Sequence, residues 1–166
     1  MTIEIEIRES EMQDIPRLVE MRKKLEKHMQ ENSKKFWGVS NSFIQNLNAY
    51  YQSKIRKPSA KLFLVHIKNE PDSVVAMAMG KIITNDELEP PRTGRIDDVW
   101  VEPEYRRAGI CEVMVKELVE FFKRNQVFDL VLEYAIYNHE AAETWRKMGF
   151  EPSIIISTAK IDEVKV

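Results

Sequence analysis

The residues best suited to chemistry lie together in Val99-Trp100-Val101-Glu102-Pro103-Glu104-Tyr105-Arg106-Arg107-Ala108-Gly109-Ile110-Cys111. An apolar run of β type stops at Pro103, turns through charged residues and enters an amphipathic segment. A strand–loop–helix junction of this kind presents unpaired backbone N–H groups and the positive end of a helix dipole, which together suit phosphate. Gly109 lets backbone approach a ligand with no Cβ in the way. Arg106 and Arg107 add charge that pairs with phosphate oxygens. The residues predict an anion site, best matched by a pyrophosphate, against the plainer alternative of a solvated turn. The 5 glycines, Gly38, Gly80, Gly94, Gly109 and Gly149, are too dispersed for Gly-x-Gly-x-x-Gly or a Walker-type loop.

A second segment follows the amphipathic one. The apolar run Leu130-Val131-Leu132-Glu133-Tyr134-Ala135-Ile136-Tyr137 leads into Asn138-His139-Glu140-Ala141-Ala142-Glu143-Thr144-Trp145-Arg146-Lys147-Met148-Gly149-Phe150. Val-x-Pro-x-Tyr-Arg-x-x-Gly-Ile followed by Asn-x-x-Ala-x-x-x-aromatic-x-x-x-Gly-Phe resembles the two signature segments of the GNAT superfamily, the GCN5-related N-acetyltransferases. The resemblance is sharp over residues 95–150 and rests only on the order of elements over residues 1–94.

The resemblance implies a fold and a reaction. The fold is α/β (α+β), a mixed, mostly antiparallel sheet of six to seven strands with a splayed central pair and helices on both faces. Acetyl-CoA would be the cosubstrate, with no metal. Its pantetheine arm would lie in the gap between the splayed strands, near the backbone of Val99 and Val101. The pyrophosphate would rest on Arg106, Arg107, Ala108, Gly109, Ile110 and Cys111, and Asn138 would contact the arm. An amine would attack the thioester directly and expel CoA thiolate. The acceptor would be a small-molecule amine or a peptide or protein amine; polyamine, amino acid, peptide N-terminus, protein lysine and aminoglycoside all fit.

Two positions depart from the pattern. Cys111 stands where glycine or alanine is usual; a helix N-terminus lowers a thiol pKa, but no histidine lies nearby in sequence, so a small residue filling a small slot is the simpler reading. Trp145 stands where a tyrosine commonly protonates the departing thiolate. An indole N–H donates a hydrogen bond but releases no useful proton near neutral pH. Tyr134 and Tyr137 are the nearest substitutes in sequence, or the thiolate leaves unaided. Trp145 either packs on the cofactor or serves the core.

For the base, an alkylammonium of pKa about 10 must lose a proton before it attacks. Asp97, Asp98 and Glu133 sit in runs otherwise apolar, where a carboxylate is costly without a partner. Strand alternation places Asp97 and Asp98 on opposite faces. Each of the three carboxylates is a candidate base or the partner of Arg92 or Arg95. His28, His66 and His139 are dispersed and show no metal-ligand spacing. Arg22, Lys23, Lys24 and Lys27 read as a solvated helix face.

Composition bounds the alternatives. A chain of 166 residues, 43% apolar and 31% charged, suits one globular domain over residues 1–166. A net charge of −2 argues against nucleic acid as the main partner. The 1 cysteine excludes an internal disulfide and fits a reducing, cytoplasmic setting. No apolar run is long enough to span a bilayer, and the acidic start does not resemble a signal peptide. A homodimer is left open. The rival functions are an acyl-CoA-binding or sensing module of the same fold, and a protein using the same loop for ATP.

The elements that would position these groups follow from periodicity. Residues 3–8 alternate as a strand; Asp14 and Pro16 open a helix striped with Ile15, Leu18, Val19, Leu25 and Met29. Ser40 opens a second helix through Phe43, Leu47, Tyr50, Tyr51 and Ile55. Residues 61–68 and 73–84 form a hairpin across Asn69-Glu70-Pro71-Asp72, and a polar loop containing Gly94 leads to a strand at 95–101. A helix at 107–124, a strand at 129–137, a helix at 139–148 closed by Gly149, and a strand at 154–161 complete the order β-α-α-β-β-β-α-β-α-β.

Overall fold

The computed structural model describes residues 3–33 and 38–165. Strand β1 (Ile5–Glu9) is followed by helices α1 (Ile15–Glu31), α2 (Asn41–Gln45) and α3 (Leu47–Ile55). Strands β2 (Ala60–Ile67), β3 (Glu70–Thr84) and β4 (Arg92–Val101) come next, then α4 (Ile110–Arg124), β5 (Leu130–Val131) and α5 (His139–Lys147). The sheet order is β1-β2-β3-β4-β5, antiparallel except for the parallel β4–β5 pair that α4 connects.

Alternation along the strands divides the core in two. Leu62, Leu64, Met77, Met79 and Trp100 face α1 and α3, where Leu18, Met21, Leu47 and Tyr51 complete one cluster. Phe63, Val65, Ala78 and Ile96 face α4, whose Met114, Leu118 and Phe122 repeat at helical spacing and fill the other. Helices therefore cover both faces.

Five sequence expectations change, the fifth at Gly94. Among the described residues the sheet has five strands, not six to seven. The strand expected at 129–137 keeps only Leu130–Val131, because residues 132–137 leave β4. The strand expected at 154–161 is absent: the residues between Glu151 and Lys160 have no regular structure, and Ile154, Ile155 and Ile156 are 83%, 80% and 67% exposed. A two-residue β5 offers no ladder for that segment to extend. Finally, the helix opened by Ser40 breaks at Asn46 into α2 and α3; Ser40 does cap α2, its Oγ accepting from the Phe43 N–H at 3.2 Å.

Gly94 lies inside β4 rather than in the preceding loop, and its role is close approach. A Cβ there would meet Leu130 Cδ2 at 2.6 Å and Phe122 Cδ1 at 2.8 Å. We expect Gly94→Ala to lower stability by about 1–3 kcal/mol through overpacking under α4, read as a lower urea midpoint with unchanged slope.

Candidate functional site

The junction between β4 and α4 is built by backbone conformation. Arg107 (φ 60°) and Gly109 (φ 76°) adopt left-handed conformations on either side of Ala108, turning the chain sharply into α4. Ile110, 2% exposed, anchors the helix start in the core, while Arg107, Ala108 and Gly109 remain exposed. The first turn of α4 thus presents its N–H groups and dipole to solvent, as an anion requires. Arg106 is held beside this turn: its Nε donates to the Val101 carbonyl at 3.2 Å, and its Nη1 donates to Glu140 Oε2 at 3.2 Å. Its guanidinium lies 5.0 Å from the ring centroid of Trp100.

Beyond this loop the strands part. β4 and β5 pair only at Gly94–Leu130 and Arg95–Val131, although β4 continues to Val101. Backbone from Ile96 to Val101 is therefore without a β5 partner on that side, at the wall of a cleft of about 700 Å³. Val99, Val101, Arg106, Arg107, Gly109, Ile110 and Cys111 line it from the β4–α4 side, and Asn138 and Trp145 line it from the cap and body of α5. Of the expected cofactor residues only Ala108 is outside the lining.

Asn138 is 9% exposed and caps α5, its Oδ1 accepting from the Ala141 N–H at 3.0 Å. Its Nδ2 lies 3.3 Å from Nε2 of His28. The His28 ring meets Trp100 edge-on and has a lowered pKa, first because it is desolvated and then because Arg106 is near; the neutral ring can accept from the Asn138 amide. Trp145, 8% exposed, packs edge-on against Phe150 and belongs to the α4 core as well as the cleft wall. Burial pushes the Cys111 thiol up to about 12, with Glu112 adding to the shift, so this sulfur stays protonated and un-nucleophilic at neutral pH.

The expected base candidates converge further than alternation predicts. Met77 pairs with Trp100 and Met79 with Asp97, leaving Asp98 and Val99 opposite Ala78 alone. This β-bulge, with Asp98 at φ 51°, brings Asp97 and Asp98 to the same cleft instead of opposite faces. Each carboxylate is already engaged. Asp97 meets Lys81 at 2.7 Å and Arg95 at 2.9 Å, and Glu133 meets Arg95 at 3.0 Å. Asp98, 7% exposed, accepts from the Tyr51 hydroxyl at 3.0 Å and pairs with Arg22. Tyr137, 49% exposed, is outside the cleft lining, whereas Tyr134 is within it.

The other wall of the cleft belongs to α1 and α3, which contribute Arg22, Glu26, His28 and Tyr50. Sequence reading missed this wall. Arg22 is not on a solvated face: its side chain is 16% accessible and lies between Asp98 and Glu26, while Lys24 is held by Glu102 at 2.8 Å. The Arg22-x-x-x-Glu26 spacing, flanking the buried stripe Leu18 and Met21, was the available signal.

A helix start with exposed N–H groups, a free strand edge and a wall of charged side chains meet in this one cleft. The model of the acetyltransferase (GNAT) family matches residues 22–150. The chain belongs to that family. It is 26% identical over 105 residues to a proposed alanine N-acetyltransferase of ribosomal protein bS18 from Bacillus subtilis (strain 168), a match covering 63% of each chain. Among solved structures, a predicted acetyltransferase of Clostridium acetobutylicum, solved with acetyl-CoA, superposes with a TM-score of 0.74 at 20% identity, covering 96% of this chain and 98% of that one. An aminoglycoside 6′-N-acetyltransferase of Acinetobacter baumannii gives 0.71 at 14% identity, covering 94% and 97%. Likeness at these identities shows the fold, and the family match fixes the class.

Proposed function

We propose that this chain transfers the acetyl group of acetyl-CoA to a primary amine by direct attack on the thioester. The observation that carries the reading is the parting of β4 from β5 beside the exposed first turn of α4. A pyrophosphate fits the N–H groups of Gly109, Ile110 and Cys111, with Arg106 and Arg107 as counter-charges. The amide-bearing arm fits the backbone around Val99 and Val101 that β5 leaves unpaired, where the Val101 carbonyl already accepts from Arg106. Asn138 and Trp145 line the same cleft from α5. The solved Clostridium acetobutylicum relative, with acetyl-CoA, supports the same ligand here.

The acceptor enters from the α1–α3 wall. As bases, Asp97, Asp98 and Glu133 would first have to give up an ion pair, and the role their contacts support is holding Arg22, Lys81 and Arg95 in place. For the leaving thiolate, Tyr134 is one of three phenols on the cleft wall, with Tyr50 and Tyr105, and Trp145 contributes packing. The acceptor is a small-molecule amine or a peptide or protein amine.

Acetyl-CoA should raise the melting temperature of the full chain, since a ligand that binds only the native state stabilises it by about 2.7 kcal/mol at 100 times Kd. ATP should do much less, because it has no arm for the β4 edge. Acceptor-dependent thiol release across a panel of polyamines, peptides and aminoglycosides completes the test. Equal stabilisation by ATP and acetyl-CoA would reject the assignment. Stabilisation by acetyl-CoA with zero release from every amine would instead favour a binding or sensing module, a reading consistent with a buried indole at position 145.

A further inference from the structure

The wall opposite the cofactor loop carries an unbalanced charge. Glu26 and Asp98 are 4% and 7% exposed, and the guanidinium of Arg22 is the one cation that pairs with them among the described residues. Two carboxylates against one guanidinium leave a net negative charge. Two cations that line the cleft from the sheet are committed elsewhere, Lys81 of β3 to Asp97 and Arg95 of β4 to Asp97 and Glu133. The Tyr51 hydroxyl is given to Asp98, not to Glu26. Oε2 of Glu26 has no donor among the described residues, and Nε of Arg22 has no acceptor. A buried carboxylate oxygen without a donor is costly, and such a group in a native structure calls for a missing partner. Glu26 lines the same cleft as Val99 and Tyr134, so that partner can arrive from the cleft.

We infer that Glu26 receives the acceptor, its carboxylate binding a primary ammonium group inserted beside Arg22. The inference rests on the transferase reading of the cleft and adds the residue and the charge state it selects. An ammonium supplies the missing donor and makes the cluster two cations against two carboxylates. The oxygen is covered by neighbouring atoms, so docking requires rotation about the terminal side-chain torsion, which is broad for glutamate. Neutral acceptors of the same size gain nothing from this contact, and the site selects the protonated amine for capture.

Hexylamine, an ammonium ion at neutral pH, and hexanol, its neutral counterpart, are the probes. Calorimetry on the full chain saturated with CoA should show hexylammonium binding to the native protein, and hexanol binding weakly. Glu26→Gln keeps the shape and removes the charge; it should weaken hexylammonium binding by about 10- to 100-fold, the scale of one charge-assisted hydrogen bond, and leave hexanol unchanged. In turnover, KM for hexylamine should rise by a similar factor while the melting shift with acetyl-CoA is unaltered. Glu26→Asp retains the carboxylate and should fall between the two, which also serves if the glutamine variant folds poorly. Equal hexylammonium affinity in the native and Glu26→Gln proteins overturns the inference, as does absence of hexylammonium binding to the native protein. A matching loss for hexanol overturns it too, since Glu26 would then only brace Arg22. Thiol release with Glu26→Gln unaffected sinks this inference alone; Glu26-dependent binding without any thiol release sinks the transferase reading alone.

Discussion

Gly109→Asp is expected to weaken acetyl-CoA binding by at least about 100-fold, roughly 2.7 kcal/mol, with little change in the stability of the free protein. The two effects separate because of where Gly109 sits. It is exposed, and a Cβ built on it meets no atom within 4 Å, so the larger side chain finds room. Its φ of 76° disfavours most residues, but aspartate tolerates the left-handed region better than most. It is also the N-cap of α4, where a carboxylate is favoured by the dipole and by the free N–H groups of the first turn. The features that suit aspartate to this position are those that suit a phosphate: the new carboxylate occupies the N–H groups and repels what should replace it. Gly109→Asn separates charge from backbone strain, and should retain most of the affinity lost in the aspartate variant. Calorimetry with acetyl-CoA on the three proteins reads the outcome. Tight binding retained by Gly109→Asp would mean that the pyrophosphate rests elsewhere.

The contrast between the two walls of the cleft explains what the sequence made legible. The cofactor side is written locally: a proline ends the strand, a glycine turns the chain, and an apolar stripe from Ile110 to Phe122 continues as helix. All of that is nearest-neighbour chemistry, and the order of elements through α5 followed from it. The acceptor side depends on long-range register. The bulge at Asp98 has no glycine or proline to announce it, and only the pairing with β3 reveals that two residues oppose Ala78. Once a strand slips by one residue, alternation beyond it inverts, so the expectation for Asp97 and Asp98 failed at that point. Arg22 looked solvated because it sits within a run of basic residues; Asp98, which pairs with it from β4, and Tyr51, which donates to Asp98, are far away in sequence. The last apolar run, Ile154-Ile155-Ile156, has strong β propensity, but propensity makes a strand only beside a partner, and β5 is two residues long.

Asp98→Ala should be the most destabilising single change on the acceptor wall. Asp98 has a side chain 2% accessible and joins three elements: β4 through its own backbone, α1 through Arg22, and α3 through the Tyr51 hydroxyl at 3.0 Å. Removing its carboxylate leaves the Tyr51 O–H without that acceptor in a fully buried position, where desolvation already holds the phenol well above its usual pKa. Arg22 keeps Glu26, so the guanidinium is not stranded, but the link from helix to sheet is cut. Because Arg22 stays paired with Glu26, the cost is that of the buried Tyr51 hydroxyl left without an acceptor and of the lost helix-to-sheet link, about 1–3 kcal/mol. For a chain of this size each kcal/mol lowers Tm by about 2–4 °C, so the fall should be visible in a thermal melt. A second substitution tests the cause. Tyr51→Phe should cost about 1–3 kcal/mol in the native protein, because Asp98 loses a buried donor. In the Asp98→Ala background the same change should cost almost nothing, since the hydroxyl has already lost its acceptor. Additive losses would show that Tyr51 and Asp98 act independently, and that the bulge, rather than the hydrogen-bonded link to α1 and α3, fixes the acceptor wall.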